Sequence, residues 1–432
     1  MSNQSSLSEP LDEKTSKGWF AILGWGSYLG TSWTWVIGMV LPILLVRDMG
    51  MGGFLAFALP NCIGAAAMGT VLSRKSAHDL RENHKGMVLT FSFLTIAYHF
   101  YVAGYLLPNL FGVGSLFTCA VTAIAAIFVT LRWSNRGALL FSIFIWSLSL
   151  ICFLVALINP DTATFSIFDT PQRLNPNFFW FFLPASVGGF FLCPYLDATF
   201  LRARIQTTAT SGKLAFIVGF LVLFALMIVF SLAYGHEVIG ALIGKQNQKL
   251  SGIWLVLLGI HVPMQIGLTL AWHGREILSL TSERDRNLQS KFEQLISSKI
   301  VLSSLLLFGL IFLVGCFLNA ASAIPLKELA TVARYITPGE IGYRSFLLFY
   351  GSLFPAYVFL IMLPPFLGPQ QKKAWKLFAV ISACSYLTAY LGIVQDQGWA
   401  ILATLGVICV GRIILEWNAF KNKGAVENQS KV

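Results

Sequence analysis

Charged residues are scarce in this sequence, and their scarcity excludes a conventional water-soluble domain. Only 11% of the 432 residues are charged, whereas soluble domains contain about 25%. Hydrophobic residues make up 56% of the chain, and no polar stretch is long enough to bury a core of its own. Apolar runs of about 20 residues recur between Gly18 and Trp417, which predicts an all-α polytopic membrane protein.

Other missing features narrow the class of protein further. The seven cysteines all fall in apolar segments without paired spacing, which argues against both a metal site and a disulfide framework. No GxxxxGK[ST] phosphate loop is present, which disfavours ATP-driven transport. The first 17 residues lack an apolar core, so we expect no cleavable signal peptide. We attribute the net charge of +11 to membrane orientation and expect no nucleic-acid partner.

We predict twelve membrane spans, numbered in chain order, with both termini in the cytoplasm. In that orientation 23 of the 30 lysines and arginines lie on the cytoplasmic side, as the positive-inside rule requires. We expect the plasma or inner membrane. The spans lie at about 19–46, 51–72, 87–109, 112–131, 137–158, 177–201, 213–235, 253–273, 300–321, 345–367, 374–394 and 398–416.

Spans 1 and 6 each contain a pattern typical of an interrupted helix. Span 1 is long enough for a helix of about 42 Å, against a hydrocarbon core of about 30 Å, which suggests that it unwinds. We place the unwound part at Gly26, Ser27, Gly30, Thr31 and Ser32. In span 6, Gly188 and Gly189 lie between Pro184 and Pro194, and we expect unwinding from Gly188 to Pro194. The alternative is that these residues serve helix packing and kinks.

Interrupted helices at matching places of two repeats indicate a transporter binding site. Spans 1 and 6 match if spans 1–5 and 6–10 form two inverted repeats. This layout resembles the amino acid–polyamine–cation transporter superfamily, with the leucine-transporter fold. The stretch GSYLGTSW resembles the unwound first helix of that family, and PYLDATFLRAR resembles the end of the sixth helix in nucleobase–cation and sodium–solute symporters. The predicted parts are a tail (1–17), two five-helix repeats (18–158 and 159–367), two further helices (368–417) and a second tail (418–432).

Polar residues within the spans are candidate site residues, because each is costly in a membrane. His99 lies in span 3 beside Tyr98, Tyr101 and Tyr105, which could stack on a solute and donate hydrogen bonds to it. The alternative is a packed aromatic seam. In span 8, His261, Gln265 and Thr269 form one polar stripe at i, i+4 and i+8. The resemblance places this helix opposite the break in span 1, where some family members bind sodium. Thr269 is the only hydroxyl of that part of span 8, which leaves both Na⁺ and H⁺ as coupling ions.

Asp197, near the cytoplasmic end of span 6, has three possible roles. It could form an ion pair at the membrane surface, gate the inner side of the site, or carry a proton. Arg202 lies at i+5, which is a poor position for pairing on the same helix. We therefore expect any partner of Asp197 to come from another cytoplasmic segment.

Together these patterns predict a secondary active transporter, not an enzyme. Its solute would be small and polar or amphipathic, such as an amino acid or a nucleobase. Its partners would be that solute and the lipid bilayer, with no cofactor beyond Na⁺ or H⁺ as a coupling ion. The sequence leaves the solute and the oligomeric state open. The alternatives are a membrane-embedded enzyme, such as an acyltransferase that uses His99 or His261, and a sensor that no longer transports.

Overall fold

The computed structural model describes residues 11–429 except 35, 113–119, 123, 125–133, 170–171, 243–249, 251, 283–298, 323–335 and 365–370. Most of predicted span 4 (112–131) therefore lies outside the described residues, as do the ends of the two predicted tails.

All the regular structure in the described residues is helical, which confirms the predicted all-α class. The helices are α1 (Glu13–Ser16), α2 (Gly18–Trp33), α3 (Val36–Val71), α4 (Arg74–Asn83), α5 (Lys85–Phe111), α6 (Asn135–Ile158), α7 (Phe178–Leu192), α8 (Ala198–Ile205), α9 (Ala209–Ala233), α10 (Gly235–Leu242), α11 (Gly252–Ser282), α12 (Lys299–Ser322), α13 (Pro338–Met362), α14 (Gln371–Ile393) and α15 (Gly398–Gln429).

The chain is an integral membrane protein by the length and composition of its helices. Within the described ranges, nine helical segments are long and apolar enough to cross a bilayer. They are Val36–Val71, Lys85–Phe111, Asn135–Ile158, Phe178–Leu196, Ala209–Ala233, Gly252–Leu280, Pro338–Met362, Lys372–Ile393 and Gly398–Trp417. A shorter apolar stretch, Leu306–Ser322, lies in α12.

Helix α3 joins two predicted spans through a sharp turn. Gly50 within it has φ 64° and ψ −152°, a conformation that disfavours any residue with a side chain. A Cβ there would also lie 2.3 Å from Nε2 of Gln172. Residues 36–49 therefore continue the first span, and residues 51–71 form the second.

The bundle has two polar ends, which we name by one residue each. At the Gly50 end, Arg47 and Asp48 bond to Arg173, Glu340 and Arg344. At the Arg202 end, Arg202 pairs with Glu276, while Arg74 and Arg204 donate to the carbonyls of Ile205 and Leu72. The helices between these ends bury their larger side chains against one another in a single core.

The outer surface of the bundle is apolar, as expected where lipid is the solvent. On α12, Leu306, Leu310, Leu313 and Phe317 form a stripe that is 58–70% exposed. Exposed tryptophans flank the apolar zone at both ends: Trp180 and Trp399 towards Gly50, and Trp19 and Trp417 towards Arg202. Tryptophan favours the membrane–water interface, so these residues indicate where the two surfaces of the membrane lie.

Candidate functional site

The first helix interruption falls at Thr34, not at Gly26 to Ser32 as the sequence analysis predicted. Helix α2 is continuous from Gly18 to Trp33, and Thr34 has the non-helical angles φ −78° and ψ 57°. The hydroxyl of Thr34 donates to the carbonyl of Gly30 at 2.7 Å, and that of Thr31 donates to Ser27 at 2.6 Å. Hydroxyls that bond back into their own helix bend it and compete with its regular pattern, which accounts for an end at this point.

The glycines of α2 have a packing role. A Cβ on Gly26 would lie 3.3 Å from the carbonyl oxygen of Ala215, and one on Gly30 would lie 3.2 Å from that of Gly219. Both contacts are to α9, so these glycines let two helices approach closely. These contacts agree with the packing alternative for Gly26 and Gly30.

The second interruption covers Cys193 to Asp197. It therefore begins five residues after Gly188, where the sequence predicted its start. Helix α7 runs through Gly188 and Gly189 to Leu192, and a 3₁₀ turn follows from Cys193 to Leu196. Pro194 stands at the start of this turn, where its missing N–H costs no hydrogen bond. Asp197 is extended, with φ −76° and ψ 113°, and caps α8.

The two interruptions meet in the core of the bundle. Oγ1 of Thr199, in the first turn of α8, lies 3.3 Å from Oγ of Ser32, in the last turn of α2. The rings of Trp33 and Phe200 are in contact, with centroids 4.9 Å apart. The indole of Trp33 donates to Oδ1 of Asn61 at 2.6 Å, which ties the first interruption to α3. The two predicted interrupted spans are therefore in contact, although each break lies at a different place along its span than the sequence predicted.

Asp197 is fully buried, and only one of its two carboxylate oxygens accepts hydrogen bonds from the described residues. Oδ1 accepts from the backbone N–H and from the hydroxyl of Thr199, both at 2.7 Å. Oδ2 has no hydrogen-bond partner among the described residues. Asp197 forms no ion pair with the described residues, and its hydrogen-bond partner Thr199 lies in the helix that Asp197 caps. Arg202 pairs instead with Glu276 of α11.

Two buried donors lie on the side of Asp197 that faces the Arg202 end. Tyr28 of α2 and Trp272 of α11 have ring centroids 4.7 Å apart. The Tyr28 hydroxyl and the Trp272 indole N–H are without partners in the described part of the chain. Tyr28 is also within electrostatic range of Asp197 and Glu276. Polar groups therefore extend from the helix interruption to the Arg202–Glu276 pair.

The tyrosines of α5 form the seam that was the alternative to solute binding. The hydroxyls of Tyr98 and Tyr101 donate to the carbonyls of Tyr343 and Gly339 at 3.0 and 2.7 Å. That of Tyr105 lies 3.2 Å from Oγ1 of Thr337. These bonds attach α5 to the start of α13, so the hydroxyls hold two helices together.

His99 lies on α5 close to the interruptions but is held by its own helix. Its Nδ1 is 2.7 Å from the carbonyl oxygen of Thr95, which fixes the proton on Nδ1. The hydroxyl of Thr95 is 2.9 Å from that of Tyr350 on α13. His273 of α11 approaches the same region, with Nδ1 3.1 Å from Oγ of Ser92. Both histidines are buried.

The polar stripe of α11 faces α6 and α9. Oγ of Ser149 lies 2.9 Å from Nδ1 of His261 and 3.0 Å from Nε2 of Gln265. The ring of Phe230 packs on His261 at 4.8 Å. Thr269 donates to the carbonyl of Gln265 at 3.0 Å. This group is therefore a separate polar site, and its contacts are not with Ser32 or Asp197.

A cluster of buried ions closes the Gly50 end of the bundle. We call Arg47, Asp48, Arg173, Glu340, Arg344 and Asp396 the ion cluster. Asp48 accepts from three arginines, including Arg173 at 2.8 Å. Glu340 accepts from Arg47 at 2.6 Å and from Arg344 at 2.8 Å. Although burial alone lowers the pKa of Arg173, its bonds to Asp48 and Asp396 raise that pKa above its usual range.

The ion cluster, Tyr28 and Trp272 were not among the predicted site residues. Arg47 and Asp48 fall between predicted spans 1 and 2, where paired charges are ordinary, and no local pattern shows that they are buried. Tyr28 and Trp272 lie in stretches rich in aromatic residues, so their composition did not distinguish them from core residues. Across the described ranges, no three His, Cys, Asp or Glu side chains are arranged to hold a metal ion.

No protein-family model matches the chain, and no curated protein matches it.

Proposed function

We propose that this protein is a secondary active transporter that moves a small solute by alternating access. The observation that carries this proposal is the meeting of two interrupted membrane helices beside Asp197, a buried carboxylate with one unpartnered oxygen. Interrupted helices free backbone groups, and a membrane protein tolerates these only where protein or an internal cavity satisfies them. Such interruptions in paired spans are a feature of transporter binding sites.

The finer architecture belongs to the same proposal. It comprises twelve spans, two inverted five-helix repeats, two further helices and cytoplasmic termini in a plasma or inner membrane. The pairing of spans 1 and 6 at Ser32 and Thr199 supports it. So does the resemblance of GSYLGTSW and PYLDATFLRAR to the amino acid–polyamine–cation superfamily.

A proton is the coupling ion that the arrangement favours over sodium. The Asp197 carboxylate has an oxygen available for protonation, and its occupied oxygen still caps α8 in either charge state. Tyr28 and Trp272 offer further buried polar groups towards Glu276. By contrast, Thr269, the expected sodium ligand of span 8, hydrogen-bonds within α11 and to neither helix interruption in the described residues.

Uptake by purified protein in liposomes tests the proposal. A panel of amino acids, nucleobases, amines and short carboxylates should include at least one that accumulates when an acid-outside pH gradient is imposed. Failure of every compound, with protein shown to be folded, would contradict transport. Accumulation that follows a sodium gradient alone would contradict the choice of ion.

The Asp197→Asn variant isolates the charge of the carboxylate. Asparagine caps a helix as well as aspartate does, so α8 should remain intact. We expect the variant to exchange solute across the membrane while losing accumulation under the pH gradient. Asp161→Asn, in an exposed segment, is the matched control and should behave as the wild type. Proton-driven accumulation in Asp197→Asn would show that the carboxylate is not the proton carrier.

A membrane-embedded enzyme is the second candidate, and one contact favours it. Ser149 and His261 place a hydroxyl 2.9 Å from an imidazole nitrogen, which is the pairing that a serine nucleophile needs. Both side chains are buried, and Gln265 already donates to the same hydroxyl. Covalent labelling of the wild type, but not of Ser149→Ala, by a membrane-permeant fluorophosphonate would establish this candidate.

A further inference from the structure

Arg204, at the end of α8, is a buried arginine that has no carboxylate partner among the described residues. Arg47, Arg204 and Arg344 are the buried arginines of the described part of the chain. Arg47 and Arg344 pair with carboxylates of the ion cluster. Arg204 instead donates from Nε to the carbonyl oxygen of Leu72 at 2.6 Å, and its Nη1 has no hydrogen-bond partner in the described ranges. Its charge is therefore buried without a counter-ion among these residues.

The surroundings of Arg204 make this charge costly. A guanidinium stays protonated in a protein, so it cannot become neutral to avoid the cost. The side chain is only 4% exposed, so water solvates it poorly. Burial lowers the pKa of Arg204, and no carboxylate of the described chain offsets this effect. An uncompensated buried charge is strongly unfavourable, and a bound anion would offset it.

The guanidinium lies against the first turn of α9, which is itself electropositive. A Cβ on Gly212, in that turn, would lie 3.0 Å from Nη1 of Arg204 and 2.5 Å from Oγ1 of Thr207. The absence of a side chain at Gly212 therefore allows the guanidinium to approach the helix this closely. Because the N-terminus of a helix carries a partial positive charge, two positive groups adjoin at this point.

The first turn of α9 also offers backbone donors. Thr208 is the N-cap, and its hydroxyl accepts from the N–H of Ser211 at 3.3 Å. The N–H groups of Ala209 and Thr210 precede the first intrahelical bond and have no acceptor among the described residues. Both residues are exposed, so a ligand can reach this turn from the water side of the Arg202 end. Free N–H groups at a helix N-terminus are a common binding site for phosphate and sulfate.

The other charged residues near this turn also favour an anion. Arg74 donates to the carbonyl at the end of α8, and Lys213 is exposed on α9. Helix α1 reaches the site because its last carbonyl accepts from the N–H of Thr208 at 3.1 Å. The one acid within α1, Glu13, is paired with Lys17 at 2.9 Å. The described surroundings of Arg204 therefore present an excess of positive charge to a ligand.

We propose that Arg204 and the first turn of α9 form a binding site for an oxyanion of the phosphate class. A guanidinium edge and adjacent backbone N–H groups present donors in fixed directions, which suits the several oxygens of a phosphate better than a spherical chloride ion. The site lies near the membrane surface that Trp19 and Trp417 indicate. The phosphate of an anionic lipid and a free phosphate ion can therefore both reach it. This site does not depend on the proposed transport function.

Thermal unfolding of the full-length chain in an uncharged maltoside detergent tests the site. One series adds inorganic phosphate, with sodium chloride at the same ionic strength as its comparison. A second series adds phosphatidic acid, with the matching diacylglycerol as its comparison. We expect at least one of the two phosphates to raise the unfolding temperature, because a ligand stabilises the state that it binds. An effect of phosphatidic acid alone would identify the lipid headgroup as the source, and an effect of inorganic phosphate would show that a free ion suffices.

Two variants with one control connect this effect to the site. Arg204→Gln removes the buried charge and should bind the anion about 10-fold or more weakly, as expected for a charge-assisted hydrogen bond. Ala209→Pro removes one free N–H group and should also weaken binding by about 10-fold. Proline suits the first position of a helix, and the preceding Thr208 is already extended, so this variant should fold even if Arg204→Gln does not. Arg136→Gln is the control, because Arg136 is an exposed arginine in the first turn of α6 at the same end of the bundle.

The inference is overturned if neither inorganic phosphate nor phosphatidic acid stabilises the wild type beyond its comparison. It is equally overturned if either Arg204→Gln or Ala209→Pro, once shown to be folded, binds the anion as the wild type does. An equal loss of binding in Arg136→Gln would also overturn it, since the anion would then respond to the overall charge of this face.

Discussion

Asp197 combines two tasks in one side chain, because one oxygen caps α8 and the other has no partner. The cap matters for stability, since the first N–H groups of a helix have no partner within the helix. The unpartnered oxygen matters for charge, since a buried carboxylate without a cation is costly. Different substitutions at this position therefore separate the two effects.

Asp197→Ala should be less stable than Asp197→Asn. Alanine leaves the N–H of Thr199 unbonded, and loss of an N-cap costs about 0.5–2 kcal/mol. Asparagine keeps the cap and removes the buried charge, so we expect it to be at least as stable as the wild type. Thermal unfolding in detergent measures both differences. Equal stability of the two variants would show that the cap contributes nothing.

His84 should make stability depend on pH in the mildly acidic range. Partial burial lowers its pKa below the usual 6.5, with Nδ1 3.0 Å from the hydroxyl of Tyr357. Between the lowered pKa and 6.5, the unfolded chain binds a proton at this residue and the folded chain does not. The His84 contribution to stability therefore decreases as pH falls below 6.5, and the decrease ends once the folded His84 is protonated.

The matched variants for this effect are His84→Gln and His236→Gln. Unfolding temperatures measured from pH 7.5 to 5 should fall less steeply in His84→Gln than in the wild type, by at most about 1.4 kcal/mol per pH unit. His236 is exposed, and its substitution controls for the loss of a histidine as such. An identical slope in all three proteins would contradict the assignment.

At the scale of helices, glycine contacts determine how closely α5 and α12 pack. A Cβ on Gly315 of α12 would lie 2.4 Å from the carbonyl oxygen of Tyr101, and one on Gly104 of α5 would lie 2.2 Å from that of Phe312. Real Cβ atoms do not approach backbone oxygens this closely, so the two helices would have to separate.

Gly315→Ala should therefore destabilise the protein by about 1–3 kcal/mol, the usual cost of overpacking. Gly309→Ala is its control on the same helix, because a Cβ there meets no atom within 4 Å. Alanine also favours helix, so Gly309→Ala should be neutral or stabilising. The test is thermal unfolding of both variants, and equal effects would contradict close packing at Gly315.

The sequence predicted the all-helical class better than the positions of the two breaks. Gly26 and Gly188 were expected to unwind, because glycine is a poor helix former. In the structure both lie within helices, and Gly26 serves contact with α9. Sequence spacing cannot separate a glycine that packs from one that unwinds. The cap at Asp197 was not predicted, and the partners of the α5 tyrosines required the tertiary arrangement.

At the scale of the whole molecule, the ion cluster connects segments that are far apart in the chain. Arg47 and Asp48 lie at the turn after the first span, Glu340 and Arg344 begin α13, and Asp396 precedes α15. Its charges are almost completely buried, apart from Asp396 at 21% exposed. Such an assembly is tolerated only when every charge has a partner.

Asp48→Asn should therefore destabilise the protein strongly. It removes a carboxylate that faces three arginines, and breaking a buried pair from one side costs about 3–5 kcal/mol. Glu416→Gln is the control, because Glu416 bonds Arg412 at 2.7 Å on an exposed helix face. We expect less than about 0.5 kcal/mol there. Thermal unfolding checks both, and a neutral Asp48→Asn would contradict the need for balance in the cluster.

The ion cluster also has a consequence for how the chain is made. Arg47 and Asp48 are synthesised early, whereas Glu340, Arg344 and Asp396 come from the last third of the chain. Until those late segments are inserted, Arg47 lacks Glu340, Asp48 lacks Arg344 and Arg173 lacks Asp396, so the early charges are only partly paired. Final docking of the Gly50 end must therefore wait for the end of translation. A prematurely terminated chain would keep unpaired charges that membrane quality control could recognise.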